Sequence, residues 1–171
     1  DYKSKDPKKN KIDWSLLAKN LSDQGYSVLE LYSREKPSLK TLIEDAQSGV
    51  VFLKNQNNAQ TERVSIVTED ISSHGVIHYA AATKQMSFVL DSIVLIDPEK
   101  KWQEFDLNSY LSKISGIPIL LASSLPQFKL SFDGCPTLCK SVVLDKESKR
   151  PLTGKLRDVK IIEFINKPSS F

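Results

Sequence analysis

The 171-residue sequence is poor in cysteine, with only two, and it has no long hydrophobic run. Two cysteines do not make a disulfide framework, so the composition favours a reducing compartment such as the cytoplasm. No apolar run approaches the roughly 18 residues that span a bilayer, and no signal-peptide pattern opens the chain. The sequence therefore predicts neither a membrane span nor a secretory leader.

Charge of one sign is also scarce, since the formal net charge is only +3. Five lysines lie within residues 1–12, and we expect this stretch to be a disordered, solvated tail. Such a small and local excess does not indicate a nucleic-acid partner. We expect residues 13–171 to form a single domain, because this length can bury a core. We also expect the protein to be a monomer.

Apolar spacing predicts a mixture of helices and strands. The predicted helices are residues 13–25, 38–49 and 106–115, and the predicted strands are residues 50–53, 63–68, 76–82, 88–96, 117–122 and 159–165. Residues 26–33 fit either a strand or a helix, and residues 54–62 and 146–157 are predicted loops. The pattern is that of an α+β fold with its strands clustered in the middle of the chain.

Cys135 follows a tight Asp-Gly turn and precedes Pro136 and an apolar run that includes Val142 and Val143. Proline is favourable at the first position of a helix, where its missing N–H would be unpaired anyway. We therefore expect Cys135 to begin a helix, whose free N–H groups and dipole favour the thiolate. A thiolate is a good nucleophile at neutral pH.

A nucleophilic thiol needs a base, and the base needs an acceptor that fixes its tautomer. His78 in a predicted strand and Asp97 at the end of the next strand provide one of each. Asp91 is an alternative acid, because a two-residue turn at residues 84–85 would place it directly across from His78. The same three residue types also fit a core histidine, a turn aspartate and a buried cysteine.

Three segments resemble motifs of one superfamily of cysteine enzymes, known as clan CE. Residues 78–80 resemble its His-aromatic-aliphatic opening, residues 92–98 its strand that ends in an acid and a proline, and residues 127–135 its Gln-to-Cys segment. The group contains adenovirus protease, ubiquitin-like-protein proteases, bacterial effector deubiquitinases and YopJ-type acetyltransferases. The resemblance covers roughly residues 40–145. It implies a papain-like α+β fold in which a central mixed sheet carries a nucleophile-bearing helix.

The resemblance also implies a function. Cys135 would attack a carbonyl, His78 would take its proton, Asp97 would orient His78, and Gln127 would help to hold the oxyanion. The implied enzyme is a ubiquitin-like-protein protease without a cofactor, which acts on conjugates of ubiquitin or a ubiquitin-like protein, in a bacterial effector delivered to a host cell. The alternatives are an acetyltransferase that uses acetyl-CoA through the same triad, and a protein-binding module without catalysis.

Histidine and cysteine spacing raises one further alternative. His74 and His78 lie four residues apart, as do Cys135 and Cys139, so the two pairs resemble a zinc ligand set. The pairs are much further from each other than in zinc fingers. We therefore expect no metal, with Cys139 as a core residue and His74 in a surface turn.

Overall fold

The computed structural model describes residues 12–32, 35–56, 63–83, 90–123, 139–143 and 154–168. Five helices lie in these ranges: α1 (Trp14–Ser22), α2 (Leu39–Lys54), α3 (Ser72–Ala82), α4 (Leu107–Leu111) and α5 (Gly154–Asn166). The strands are β1 (Ser65–Glu69), β2 (Ser92–Ile96), β3 (Lys101–Trp102), β4 (Phe105–Asp106), β5 (Ile119–Ser123) and β6 (Cys139–Val143). The protein is thus a mixture of helices and strands, as the sequence predicts.

Four of the strands form one parallel sheet in the order β1-β2-β5-β6. Ile93 of β2 is level with Ile66 on one side and Ile119 on the other. The short strands β3 and β4 pair separately as an antiparallel ribbon. The central sheet is therefore parallel, where the sequence led us to expect a mixed one. Parallel neighbours require crossover connections, and α3 supplies the crossover from β1 to β2.

Helices cover both faces of this sheet, and alternate residues of β1, β2 and β5 point into opposite layers. The first layer joins Ile93 and Leu95 to residues of α2, α3 and α4. The second joins Val94 and Ile96 to residues of α1 and α5. All five residues of β2 are buried, which is typical of a central parallel strand.

The two N-terminal helices begin where the sequence predicts. The Asp13 carboxylate accepts a hydrogen bond from the Leu16 N–H, and Ser38 forms a reciprocal capping box with Thr41. The predicted strand at residues 50–53 is wrong, because α2 continues through it to Lys54. Gly49 does not end this helix. It allows Leu31 to approach instead, since an added Cβ would lie 2.7 Å from Leu31 Cδ1.

Helices α2 and α3 pack closely at Gly75. A Cβ atom at this position would lie 2.5 Å from Leu42 Cβ and 2.7 Å from the Leu42 backbone. Glycine therefore fixes how near α3 comes to α2, and with it the position of the first turn of α3. This turn carries residues of the candidate site.

Two predictions for the C-terminal part of the chain are wrong. Residues 139–143 form strand β6 on the edge of β5, where we expected the Cys135 helix to continue. Residues 159–165 lie in helix α5, although their β-branched side chains favoured a strand. Asp158, Ile161, Ile162 and Ile165 are buried at helical spacing, so one face of α5 covers the sheet.

The buried position of Ile12 and the length of the helices bear on two further expectations. Ile12, which we assigned to the disordered tail, is buried with α1 and α5; the other tail residues lie outside the described ranges. No helix in those ranges is both long enough and apolar enough to span a bilayer.

Candidate active site

His78 lies on helix α3, so the prediction that it lies in a strand is wrong. Residues 73–77 are all buried, and an apolar segment buried on every side lacks the periodicity that separates helix from strand. The His78 ring packs on Tyr110, with centroids 3.5 Å apart, and edge-on against Phe105 at 5.4 Å. Burial, and then the nearby charges of His74 and Lys113, lower the pKa of His78. Its Nε2 atom is buried and has no hydrogen-bond partner within the described ranges.

Asp97 directly follows strand β2, as the sequence predicts. Its N–H donates to the carbonyl oxygen of Ala122, 2.9 Å away, which extends the sheet pairing by one residue. The described contacts of His78 are with aromatic rings and not with Asp97. The role of Asp97 as the acid that orients His78 stays a prediction.

Asp91 forms a two-pronged ion pair with Arg63, at 3.0 and 3.2 Å. The predicted hairpin that would place it across from His78 is wrong, because β1 and β2 are parallel and α3 lies between them. Cys135 and Gln127 lie outside the described residues. Cys139 begins strand β6.

His74 is fully buried in the first turn of α3, so its assignment to a surface turn is wrong. Its Nε2 atom donates a hydrogen bond to the backbone carbonyl oxygen of Glu99, 2.9 Å away. The Nδ1 atom is then the acceptor, and it has no partner among the described residues. Burial lowers the pKa of His74, although the bond to Glu99 and the charge of Asp106 act in the opposite direction. This hydrogen bond joins α3 to the loop that follows β2.

Asp70 occupies the tight turn between β1 and α3 with a φ of 54°. This left-handed conformation is uncommon for residues other than glycine and is typical of strained functional positions. The Asp70 N–H donates to the Ile96 carbonyl oxygen, and the Asp70 carbonyl accepts from the Ser73 N–H. The turn is thus held from both sides while the Asp70 side chain is exposed.

Asp70 and Asp97 follow neighbouring strands at the same level, since Glu69 and Ile96 are register partners. Both have positive φ, 54° for Asp70 and 41° for Asp97. Neighbouring strands lie about 4.8 Å apart, so the two residues stand side by side at the carboxyl edge of the sheet. Ligands of open parallel sheets bind at this edge.

Glu99 adds a third carboxyl group at this edge. Burial and, to a smaller extent, the charge of Asp70 raise the pKa of Glu99. A carboxyl group that holds its proton to higher pH is suited to donate that proton as a general acid. Within the described ranges, no three acidic, histidine or cysteine side chains are grouped so as to hold a metal ion.

Comparison of the chain with protein-family models, with curated proteins and with solved structures gives no match. The geometry of the described residues is therefore the only guide to its function.

The sequence analysis did not identify Asp70 or Glu99 as candidate-site residues, and it considered His74 only as a zinc ligand or a surface-turn residue. One signal was available for Asp70, because an apolar strand runs directly into Thr68–Ser72 and then into the next apolar segment. The nucleophile turn of hydrolases places a polar residue between a strand and a helix, with small residues two positions before and two positions after it. Reading residues 76–82 as a strand concealed it, because no helix then followed the turn.

Proposed function

We propose that the protein is a hydrolase that cleaves a bond at a saturated carbon through a covalent intermediate on Asp70. The observation that carries this proposal is the left-handed backbone of Asp70 between β1 and α3. In the nucleophile elbow of α/β hydrolases, a strained strand-to-helix turn exposes the nucleophile above the sheet, with glycines two positions before and after it. Thr68 and Ser72 occupy these positions here, and an aspartate stands in place of the usual serine.

Carboxylates act as covalent nucleophiles in several enzyme classes. A carboxylate that displaces a leaving group from saturated carbon forms an ester, which is stable enough to persist and is still open to hydrolysis. Attack on a carboxylic ester would give a far more reactive anhydride. The proposed substrates are therefore epoxides, alkyl halides or glycosides.

In the first step an Asp70 oxygen bonds to the substrate carbon and the bond to the leaving group breaks. A leaving oxygen takes its proton from the Glu99 carboxyl group, whose raised pKa suits this role. In the second step water gives a proton to the Glu99 carboxylate while its oxygen adds to the carbonyl carbon of the Asp70 ester. The ester C–O bond then breaks, and the departing product oxygen takes the proton of the newly formed Asp70 carboxyl group. When the first leaving group takes no proton, Glu99 first loses its own proton to solvent.

His74 is a positioning residue in this scheme. Its hydrogen bond to the Glu99 carbonyl fixes the loop after β2 relative to the first turn of α3. Asp70 precedes that turn, so the same bond sets the distance between nucleophile and proton donor. Burial of the ring keeps His74 neutral and in the tautomer that donates from Nε2.

The experiment separates the two steps with the Glu99→Gln variant and substrates whose leaving groups need no proton. An alkyl bromide, a dinitrophenyl glycoside and an epoxide are incubated with the protein, which is then analysed by intact mass and peptide mapping. We expect Glu99→Gln to accumulate an adduct on the Asp70 peptide with one of the first two substrates. The Asp70→Asn variant should form none, and Glu104→Gln, an exposed acid in the turn between β3 and β4, should behave as the wild type.

An adduct that persists in Asp70→Asn would contradict the proposal. So would the absence of both turnover and adduct with all three substrates. Comparison of the epoxide with the bromide then tests Glu99 directly, because only the epoxide oxygen needs its proton. Loss of Glu99 should slow opening of the epoxide far more than displacement of bromide.

The cysteine hydrolase is the second candidate, with its papain-like arrangement, its ubiquitin-like substrates and its acetyl-CoA alternative. The buried, unpartnered Nε2 of His78 favours it, because such an atom calls for an explanation. Ubiquitin and ubiquitin-like proteins with a C-terminal electrophile test this candidate. An adduct that disappears in Cys135→Ala and remains in Asp70→Asn would support it, as would acetylation of Cys135 by acetyl-CoA for the transferase.

A further inference from the structure

A cavity of about 930 Å³ lies beside strand β1. Its walls are β1, helices α1 and α2, and an irregular stretch that we call the 26–32 segment. This segment follows α1 and is separated from β1 in the chain by α2. The cavity thus lies between a sheet edge and a second piece of backbone.

Strand β1 is the first strand of the sheet order, so its outer edge has no neighbour among the described strands. An edge strand presents a row of unpaired N–H and C=O groups to whatever lies beside it. Helix layers flank this edge on both sides. Ile66 packs against the layer that contains α2, and Val67 against the layer that contains α1. The space beside β1 therefore continues the sheet between its two helix layers.

The 26–32 segment exposes an unusual amount of apolar surface. Val28 is 40% exposed, Leu31 57% and Tyr32 79%. Its only backbone hydrogen bond within the described part of the chain is from the Tyr26 N–H to Leu21. Clustered apolar side chains and free backbone groups at a cavity wall indicate a surface that another element covers.

Charge favours a particular occupant. Among the described residues that line the cavity, there are four carboxylates, from Glu30, Asp45, Glu69 and Asp91, and one guanidinium, from Arg63. Arg63 is already paired with Asp91 at 3.0 Å. The lining is therefore net negative and complements lysine or arginine on the occupant.

We propose that this cavity binds one extended β-strand of a partner, with apolar side chains at alternate positions and basic residues at its ends. The strand would pair with β1 on one side and with the 26–32 segment on the other. Its alternate side chains would pack into the two helix layers, which is the strand-addition mode of peptide recognition. Because β1 spans five residues, about five residues of the partner would pair with it. This proposal is independent of the proposed hydrolase activity.

Panning the whole chain against displayed random dodecapeptides tests the proposal and does not require that the partner be identified first. We expect enrichment of alternating β-branched or aromatic residues flanked by lysine or arginine. A labelled synthetic copy then gives the Kd by fluorescence anisotropy. Hydrogen exchange should show that the bound peptide protects the amides of residues 65–69 and 27–31.

The double variant Val28→Ser/Leu31→Ser removes exposed side chains of the 26–32 segment and leaves the two buried layers intact. We expect it to raise the Kd at least about tenfold, which corresponds to about 1.4 kcal/mol. The matched control is Val51→Ser, a 46% exposed side chain of α2 that does not line the cavity. It should leave the Kd unchanged.

Three results would overturn the proposal. The first is the absence of any enriched peptide. The second is binding that the double variant does not weaken, or that protects amides elsewhere. The third is a concentration-dependent dimer that the double variant abolishes, since this would assign the cavity to a second copy of the chain.

Discussion

The Nε2 atom of His74 donates a hydrogen bond to the backbone carbonyl oxygen of Glu99, 2.9 Å away. Twenty-five residues separate the two in the chain, so the bond joins the start of α3 to the loop that leaves β2. The ring is fully buried, and water therefore does not replace the bond if it breaks. The left-handed turns at Asp70 and Asp97 flank the two elements that this bond joins.

Replacing His74 with alanine should destabilise the protein. The change removes a buried ring and leaves the Glu99 carbonyl without its partner, so we expect a loss of about 2–4 kcal/mol in the free energy of unfolding. Urea denaturation followed by circular dichroism measures this loss. Lys101→Ala, an exposed residue of β3, is the control and should change stability little. A loss in His74→Ala no larger than that of the control would contradict the structural role of His74.

Stability should depend on pH through both histidines. Burial lowers the pKa of His74 and of His78 below the ordinary value of 6.5. The unfolded chain therefore binds more protons than the folded one once the pH falls below about 6.5, and stability decreases from there until the folded pKa is passed. Above about pH 6.5 the two neutral histidines make their full contribution to the free energy of unfolding. We expect the urea concentration at the unfolding midpoint to decrease as the pH is lowered from 7 to 5.

The variant His78→Gln removes one of the two titrating rings. Its urea midpoint should depend less on pH over the same interval than that of the wild type. Most carboxylates titrate at lower pH. The raised pKa of Glu99 acts in the opposite direction, because a folded state that binds this proton more tightly gains stability as the pH falls. An unchanged slope in this variant would show that His78 is not responsible.

Two substitutions of Asp70 should both remove its carboxylate but change the stability of the protein in opposite directions. Glycine adopts the φ of 54° without steric cost, so Asp70→Gly should raise the free energy of unfolding by about 0.5–1 kcal/mol while it removes the proposed nucleophile. A β-branched residue is strained there, so Asp70→Val should lower it by about 1–2 kcal/mol. Chemical denaturation of both variants provides the measurement. Shifts of the same sign would mean that backbone strain does not govern this position.

Gly75→Ala should destabilise the protein although alanine is the better helix former. The gain of about 1 kcal/mol in helix propensity is opposed by a Cβ only 2.5 Å from Leu42 Cβ, so we expect a net loss of about 1–3 kcal/mol. Gly49→Ala is the matched comparison, because the closest atom to its Cβ is the movable end of the Leu31 side chain, at 2.7 Å, and no backbone atom is among its three nearest contacts. Thermal unfolding should show the larger decrease for Gly75→Ala; the reverse order would be evidence against close packing of α2 and α3.

Capping chemistry and β-branched runs made part of the fold predictable. Asp13 and Ser38 mark two helix starts that the structure confirms, and strands at residues 65–69, 92–96 and 119–123 lie within or close to the predicted runs. These signals depend on neighbouring residues in the chain and not on tertiary contacts, so they can be recognised in the sequence alone.

Segments buried on several sides were not predictable in this way. The stretch around His78 packs against α2 and α4 as well as the sheet, so it has no polar face to reveal its helical period. A strand at this position predicts a hairpin that ends at Asp91. It also leaves no helix after Asp70, so the strand-to-helix turn at Asp70 is not recognised. The position of Asp97 at the end of a strand was predictable, because it depends only on where an apolar run stops.

The parallel arrangement has a consequence for how fast the chain folds. Paired residues of neighbouring strands lie 20 to 27 positions apart, because each strand reaches its neighbour only through a crossover. Closing such loops costs entropy before any strand pairing compensates for it, and sheets of this kind assemble more slowly than helical bundles of equal size. Helices α1 and α2, which need only local contacts, are therefore expected to form early, and the sheet to complete in the rate-limiting step.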